Sequence, residues 1–305
     1  MGWLEPFRAP FMARALAELV LLAVICGPVS VFVFVRRLSF VSDALTHTVF
    51  PGVVVGFIAG GLSGIFVGAL VAGVATALAL TLLTRRGALS DDASTAVVLT
   101  AMFALGVALV SRRSSYTTDL TSFLFGRLLT VTPGQLAETA VLALVILGLL
   151  TLGGRAFLFR AFDQGGAAAA GFRTGWLDLW LNVIVALVVV AAVRAVGTVL
   201  VIALLIVPAA AARLLTDRLA VMAALGAGLT VAAGYLGLLI SWTASVDYGL
   251  RLTSASAVVL VLVAAYLMAL PIGLRRSHLG TRRSPIGLRR SPIGLGGGRR
   301  DELVG

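Results

Sequence analysis

Asp43 and His47 are the residues whose types and spacing could do chemistry in this chain. They lie in the stretch Arg36-Arg37-Leu38-Ser39-Phe40-Val41-Ser42-Asp43-Ala44-Leu45-Thr46-His47-Thr48-Val49-Phe50-Pro51-Gly52, where a helix would bring both to one face. His47 is one of only 2 histidines. A carboxylate oxygen with an imidazole nitrogen suits first-row divalent cations such as Mn, Fe and Zn. The pair therefore reads either as a metal contact on a translocation path or as an Asp–His hydrogen bond that locks a polar helix start. Pro51-Gly52 follows within a turn. Such a dipeptide can break a membrane helix and bare backbone carbonyls at a transport site, or it can simply kink it. A long apolar run comes next, so the pair sits at or inside a membrane boundary, where an ionisable group is costly and points to function.

The elements that must position this pair follow from composition. The chain has 305 residues, is 60% hydrophobic and only 12% charged, and its mean hydropathy is +1.07. Soluble domains carry about twice that share of charge. The apolar runs are continuous rather than alternating, which excludes a barrel and predicts an all-α integral membrane protein. All 24 basic residues are arginine. The absence of lysine excludes a Walker A ATPase within the chain and any Schiff-base lysine chemistry. The net charge of +11 sits mostly in loops and tail, where it suits membrane orientation rather than nucleic acid. Cys26, the single cysteine, makes neither an internal disulfide nor a thiolate cluster and reads as a small apolar residue.

Spans of about 20 residues are predicted near 15–35, 48–60, 62–83, 94–111, 135–153, 178–196, 197–213, 219–241 and 254–273. The sixth and seventh are barely separated, so a polytopic bundle of eight or nine helices is expected. Arg8 and Arg14 precede the first span, which is long enough to cross and reads as a retained helix rather than a signal peptide. Residues 1–274 form the membrane domain. The Arg/Gly/Pro-rich segment 275–305, with its degenerate PIGLRRS heptads and His278, is predicted to be a disordered cytoplasmic tail. It could lie on anionic lipid headgroups. Counting back from it puts 154–177, Arg213–Arg218, Arg85-Arg86 and Arg36-Arg37 inside. Arg112-Arg113, Arg127 and the N-terminus fall outside, against the charge rule. Arg194, within a span, is expected to snorkel or to pair across the bundle. Asp163, Asp178 and Asp217 read as capping or solvated charges at helix ends. Abundant glycine, Gly52/Gly56/Gly60 and Gly64/Gly68 among others, implies close helix approach.

The stretch RRLSFVSDALTHTVFPGVVVGF resembles the signature of the ABC-3 family, the manganese/zinc/iron ABC transporter permeases, with a type II importer-like bundle. Its paired Asp and His fall on Asp43 and His47 and its Pro-Gly on Pro51-Gly52. Ser42 replaces the usual glycine. Ser122–Thr132, reading SFLFGRLLTVT, is similar to a second family stretch, with Gly126 in place and Arg127 where an Asp is common. Val196–Arg213 resembles a third, with Gly197, Pro208 and Arg213 as structural positions. Gly234–Leu267 is similar to the last two helices, without the expected prolines. Phe162-Asp163-Gln164-Gly165-Gly166-Ala167-Ala168-Ala169-Ala170-Gly171 resembles the cytoplasmic coupling segment, on which Phe162, Asp163, Ala169 and Gly171 match and a Glu is missing.

The resemblance, which covers about residues 15–270, implies the membrane permease subunit of an ATP-driven importer for Mn, Zn or Fe in a bacterial plasma membrane. It implies a homodimer enclosing the path, a separate cytoplasmic ATPase docked on the coupling segment and an extracellular binding protein that delivers metal. No bond chemistry and no permanently bound cofactor are expected; the metal is cargo. The rivals are a proton-coupled secondary carrier using Asp43 and His47, a membrane-embedded enzyme, disfavoured because the chain has no HExxH motif, and an ABC permease for a metal chelate.

Overall fold

A computed structural model describes residues 5–85, 90–111, 126–250 and 252–281, and the regular elements among them are all helical. They are α1 (Pro10–Val35), α2 (Ser39–Thr48), α3 (Phe50–Arg85), α4 (Asp91–Ser111), α5 (Pro133–Phe162), α6 (Gln164–Ala169), α7 (Thr174–Leu215), α8 (Leu219–Asp247) and α9 (Ser254–Thr281). Short 3-10 turns occupy Pro6–Arg8 and Leu128–Thr130. Among the described residues, 8 helical stretches are long and apolar enough to cross a membrane. Helices satisfy their own backbone groups, which hydrocarbon cannot do.

The 42-residue α7 would be about 63 Å long if straight. It is not straight. Gly197 has φ 76 and ψ 166, a non-helical conformation open to glycine, and the helix folds back there. Named contacts fix the reversal. Near its start, Asp178 pairs with Arg36, which caps the end of α1. Near its end, Ala209 and Ala212 pack with Val31, also close to the end of α1. Its middle lies at the opposite end of the bundle, where Arg194 meets Glu138 at the start of α5. The sixth and seventh predicted spans are thus two antiparallel passes, and the 8 stretches make nine passes with this one counted twice.

α3 folds back too, at Gly60 and Gly61. Gly52 faces Gly68 and Gly56 faces Gly64 so closely that a Cβ on any of the four would strike backbone. That antiparallel register requires bare glycines. Gly60 has open space around it and serves the turn instead of the contact.

The second span begins at Ser39, not near residue 48. α2 runs almost unbroken into α3: Val49 keeps helical angles (φ −69, ψ −23), and its N–H reaches Leu45 O at 3.3 Å. The polar side chains that hid this span are absorbed locally, since Thr46 donates to Asp43 O (2.7 Å) and Thr48 to Leu45 O (3.3 Å).

α8 runs away from the Arg36 end, with Ala223 and Ala227 against Gly27 and Trp242 against Phe11. α9 returns: Ser254 meets Ser241 at 3.1 Å, and Gly273 meets Leu214. The two ends of the bundle are therefore the Arg36 end, which also holds α6 and the far end of α9, and the end holding Gly197. α9 continues to Thr281, so residues 275–281 of the predicted disordered tail are helical, while predicted features at Arg86, Arg112-Arg113, Ser122–Phe125 and 282–305 lie outside the described residues.

Candidate functional site

Asp43 and His47 stand on one face of α2, as their spacing predicts, with side chains 39% and 30% exposed. The opposite face of α2 is buried through Ser42, Ala44, Leu45, Thr46 and Thr48. Asp43 Oδ1 and His47 Nε2 are 3.7 Å apart, too far for a hydrogen bond. The separation is close to the edge of a metal's coordination shell, about 3.4 Å for two ligands at ~2.1 Å in a tetrahedron. Phe103 of α4 meets the His47 ring edge-on, with centroids 6.1 Å apart, and also packs beside Phe50. α4 comes this close because Gly106 carries no Cβ; one would meet Phe50 Cδ1 at 2.5 Å.

Pro51 and Gly52 both lie inside the first turn of α3. Proline has no N–H to offer the carbonyl of His47, four residues earlier. Gly52 makes the Gly68 contact described above. The backbone here is not unwound: Val49 keeps helical angles and Val53 N–H reaches Val49 O at 3.1 Å. Ser42, which replaces the family's glycine, buries its hydroxyl without a hydrogen-bond partner among the described residues.

The segment after α5 forms the short helix α6. Asp163 caps it, its Oδ1 accepting from Gly166 N at 2.7 Å. A Cβ on Gly166 would collide with that carboxylate, so glycine at this place goes with the cap. Ala169 ends the helix, and Gly171 (φ 85) turns the chain out of it. Phe162 is 69% exposed, and Phe159 and Phe172 beside it are also exposed and meet edge-on. This segment lies at the Arg36 end of the bundle, where Arg160 just before it shares Asp178 with Arg36.

The remaining motif residues make local contacts within the bundle. Gly126 (φ 69) lays its backbone on Val196 and Gly197, and Arg127 N–H donates to Ala195 O at 3.0 Å. Pro208 packs on Gly226. Arg213 pairs with Asp217 at 3.0 Å on the surface.

Arg194 pairs across the bundle: it reaches Glu138 at 2.6 Å and lies over the Phe66 ring. Asp178 is more than a helix-end charge, because it receives Arg36 at 2.7 Å and Arg160 at 3.0 Å. Glu18 was not singled out by its sequence. It is fully buried in α1, with Thr139 donating to Oε1 at 2.8 Å and Oε2 without a hydrogen-bond partner among the described residues. A lone acid within an apolar run was the available signal. No group of 3 or more His, Cys, Asp or Glu that could hold a metal occurs among the described residues.

The family model of the ABC 3 transport family matches residues 8–272. The manganese transport system membrane protein MntC of Halalkalibacterium halodurans is 35% identical over 260 residues, covering 85% of this chain and 86% of that protein. A probable iron transport system membrane protein of Haemophilus influenzae is 28% identical over 263 residues, covering 86% and 96%. In solved structures, PsaBC from Streptococcus pneumoniae in complex with Fab matches with a TM-score of 0.79 and 29% identity, over 92% of this chain and 98% of that one. The chain belongs to the ABC 3 transport family: it is a multi-pass membrane permease, related to membrane subunits of transport systems and not to enzymes.

Proposed function

We propose that this chain is the permease subunit of an ATP-driven importer of divalent transition-metal ions, Mn or Fe first and Zn by the same chemistry, with Asp43 and His47 as the contact the ion meets in the membrane. The observation that carries this reading is the half-exposed pair itself: two metal-type donors 3.7 Å apart on one face of a membrane helix. Relatives named for manganese and iron transport support the cargo. Two donors give only a weak site, which suits a path that must release what it binds. In a symmetric pair of permeases the same face would meet its copy, and four donors would complete a coordination shell.

In this reading the Arg36 end faces the cytoplasm. Arg36, Arg37, Arg160, Arg173, Arg213 and Arg218 belong to that end, as the positive-inside rule asks. The tail after α9 leaves from the same end. The exposed Phe162 and the capped helix α6 would dock a separate ATPase, and an extracellular binding protein would deliver the ion at the Gly197 end. ATP binding on the partner would bias the bundle between outward-open and inward-open arrangements.

The test is cellular Mn, Fe and Zn content by elemental mass spectrometry in metal-poor medium, comparing a deletion strain with the same strain carrying wild type or His47→Ala. One metal should fall in the deletion and return with wild type alone. Uptake that persists without the ATPase and collapses with the proton gradient would replace this reading with the secondary carrier. Uptake only of a chelated metal would replace it with the chelate permease.

A further inference from the structure

We propose that Asp178 is the joint through which movement of the α6 segment reaches the helix carrying Asp43 and His47. This rests on the importer reading above and adds a positioning residue that lies outside the metal contact and the docking segment.

The two oxygens of Asp178 go to two different arms of the fold. Oδ1 accepts from Arg36 at 2.7 Å and Oδ2 from Arg160 at 3.0 Å. Arg36 stands directly before α2. The corner between them is a tight turn with Arg37 at φ 55, and Leu38 N–H closes it on Val33 O at 2.8 Å. Arg160 lies in the last turn of α5, three residues before the Asp163 that caps α6. That corner is a single residue, since Asp163 ends α5 and caps α6 at once. Both corners are short, so each paired arginine sits within about one turn of the helix that follows it. Asp178 itself sits in the first turns of α7, joined to α6 through Gly171–Arg173.

The charges make the link firm. The side chains of Arg36, Arg160 and Asp178 are 16%, 10% and 27% exposed, and Arg160 Nε has no hydrogen-bond partner among the described residues. Charge-assisted hydrogen bonds are shorter and stronger than neutral ones, and Asp178 makes two of them, one to each arginine. Beside this joint lies a cavity of about 780 Å³, bounded by the starts of α2 and α4, the end of α3 and the α6–α7 corner. The arms carrying the metal pair and the docking segment flank this space; besides the packing of α1 on α5 through Phe32 and Phe157 and of α2 on α7, one carboxylate makes polar contacts to both. If α6 moves, Asp178 is the polar link that draws α2 with it.

The test uses the permease with its ATPase in proteoliposomes. Cys26 is the chain's one cysteine and is buried, so Phe40→Cys on a Cys26→Ala background gives a single reporter on the exposed face of α2. The maleimide labelling rate is measured with and without ATP and vanadate. In this background the rate should change with nucleotide. In Asp178→Asn the change should shrink by roughly tenfold, within the range of coupling between sites, while the ATPase still co-purifies and hydrolyses ATP. Asp178→Glu should restore most of it, which a merely structural role would not do. Arg36→Gln, which leaves the Arg160 contact in place, should lose the change in the same way and serves if Asp178→Asn fails to fold. A full nucleotide-dependent change in Asp178→Asn or in Arg36→Gln would overturn the proposal. Metal uptake is read separately in vesicles that also hold the binding protein: its absence in the wild type would contradict the importer reading and leave the labelling result standing.

Discussion

Arg194 on α7 and Glu138 on α5 meet at 2.6 Å, with side chains 20% and 46% exposed, and the guanidinium also lies over the Phe66 ring. A charge within an apolar span needs such a partner. Glu138→Ala should therefore cost about 1 kcal/mol or more of stability. Asp217→Ala, which breaks the exposed Arg213–Asp217 pair, should cost only about 0.5 kcal/mol or less. Thermal unfolding of the detergent-solubilised variants checks the order.

Ser42 buries a hydroxyl that finds no partner among the described residues. Alanine removes the orphan group and favours the helix. Ser42→Ala should stabilise the protein by about 1 kcal/mol, seen as a higher melting temperature with Asp43 and His47 untouched.

The glycines should rank by geometry. Gly126→Ala meets both a positive φ and the backbone of Val196 and Gly197, so it should cost more than about 3 kcal/mol or prevent folding. Gly171→Ala keeps the positive φ but has open space, and should cost about 1 kcal/mol. Gly60→Ala has neither problem and should be close to neutral. Expression and melting of the three variants test the ranking.

Much of this was legible in the sequence, and the failures have physical causes. The four-residue spacing alone placed Asp43 and His47 on one face. The motif stretches drew attention to Gly126 and Gly197, but their positive φ values came only with the fold. The start of the second span was missed because its hydroxyls and charges lower the hydropathy of a stretch that is nonetheless helical, with Thr46 and Thr48 bonded to their own turns. Pro51-Gly52 invites a break, yet the chain reverses at Gly60 and Gly61, where a hairpin needs room. Glu18 and Glu138 each sit singly in apolar runs and barely alter a windowed average. The partners of Arg194 and Asp178 are distant in sequence, so only the fold could supply them.

The most direct measurement is ATP-dependent uptake of radioactive manganese or iron into proteoliposomes holding the permease, its ATPase and its binding protein, for wild type, Asp43→Ala and His47→Ala. Uptake by the wild type, with at least a tenfold loss in both variants at normal expression, is the expected result; a loss of that size corresponds to about 1.4 kcal/mol per variant. Uptake unchanged in both variants would contradict the claim that this pair is the metal's contact in the membrane.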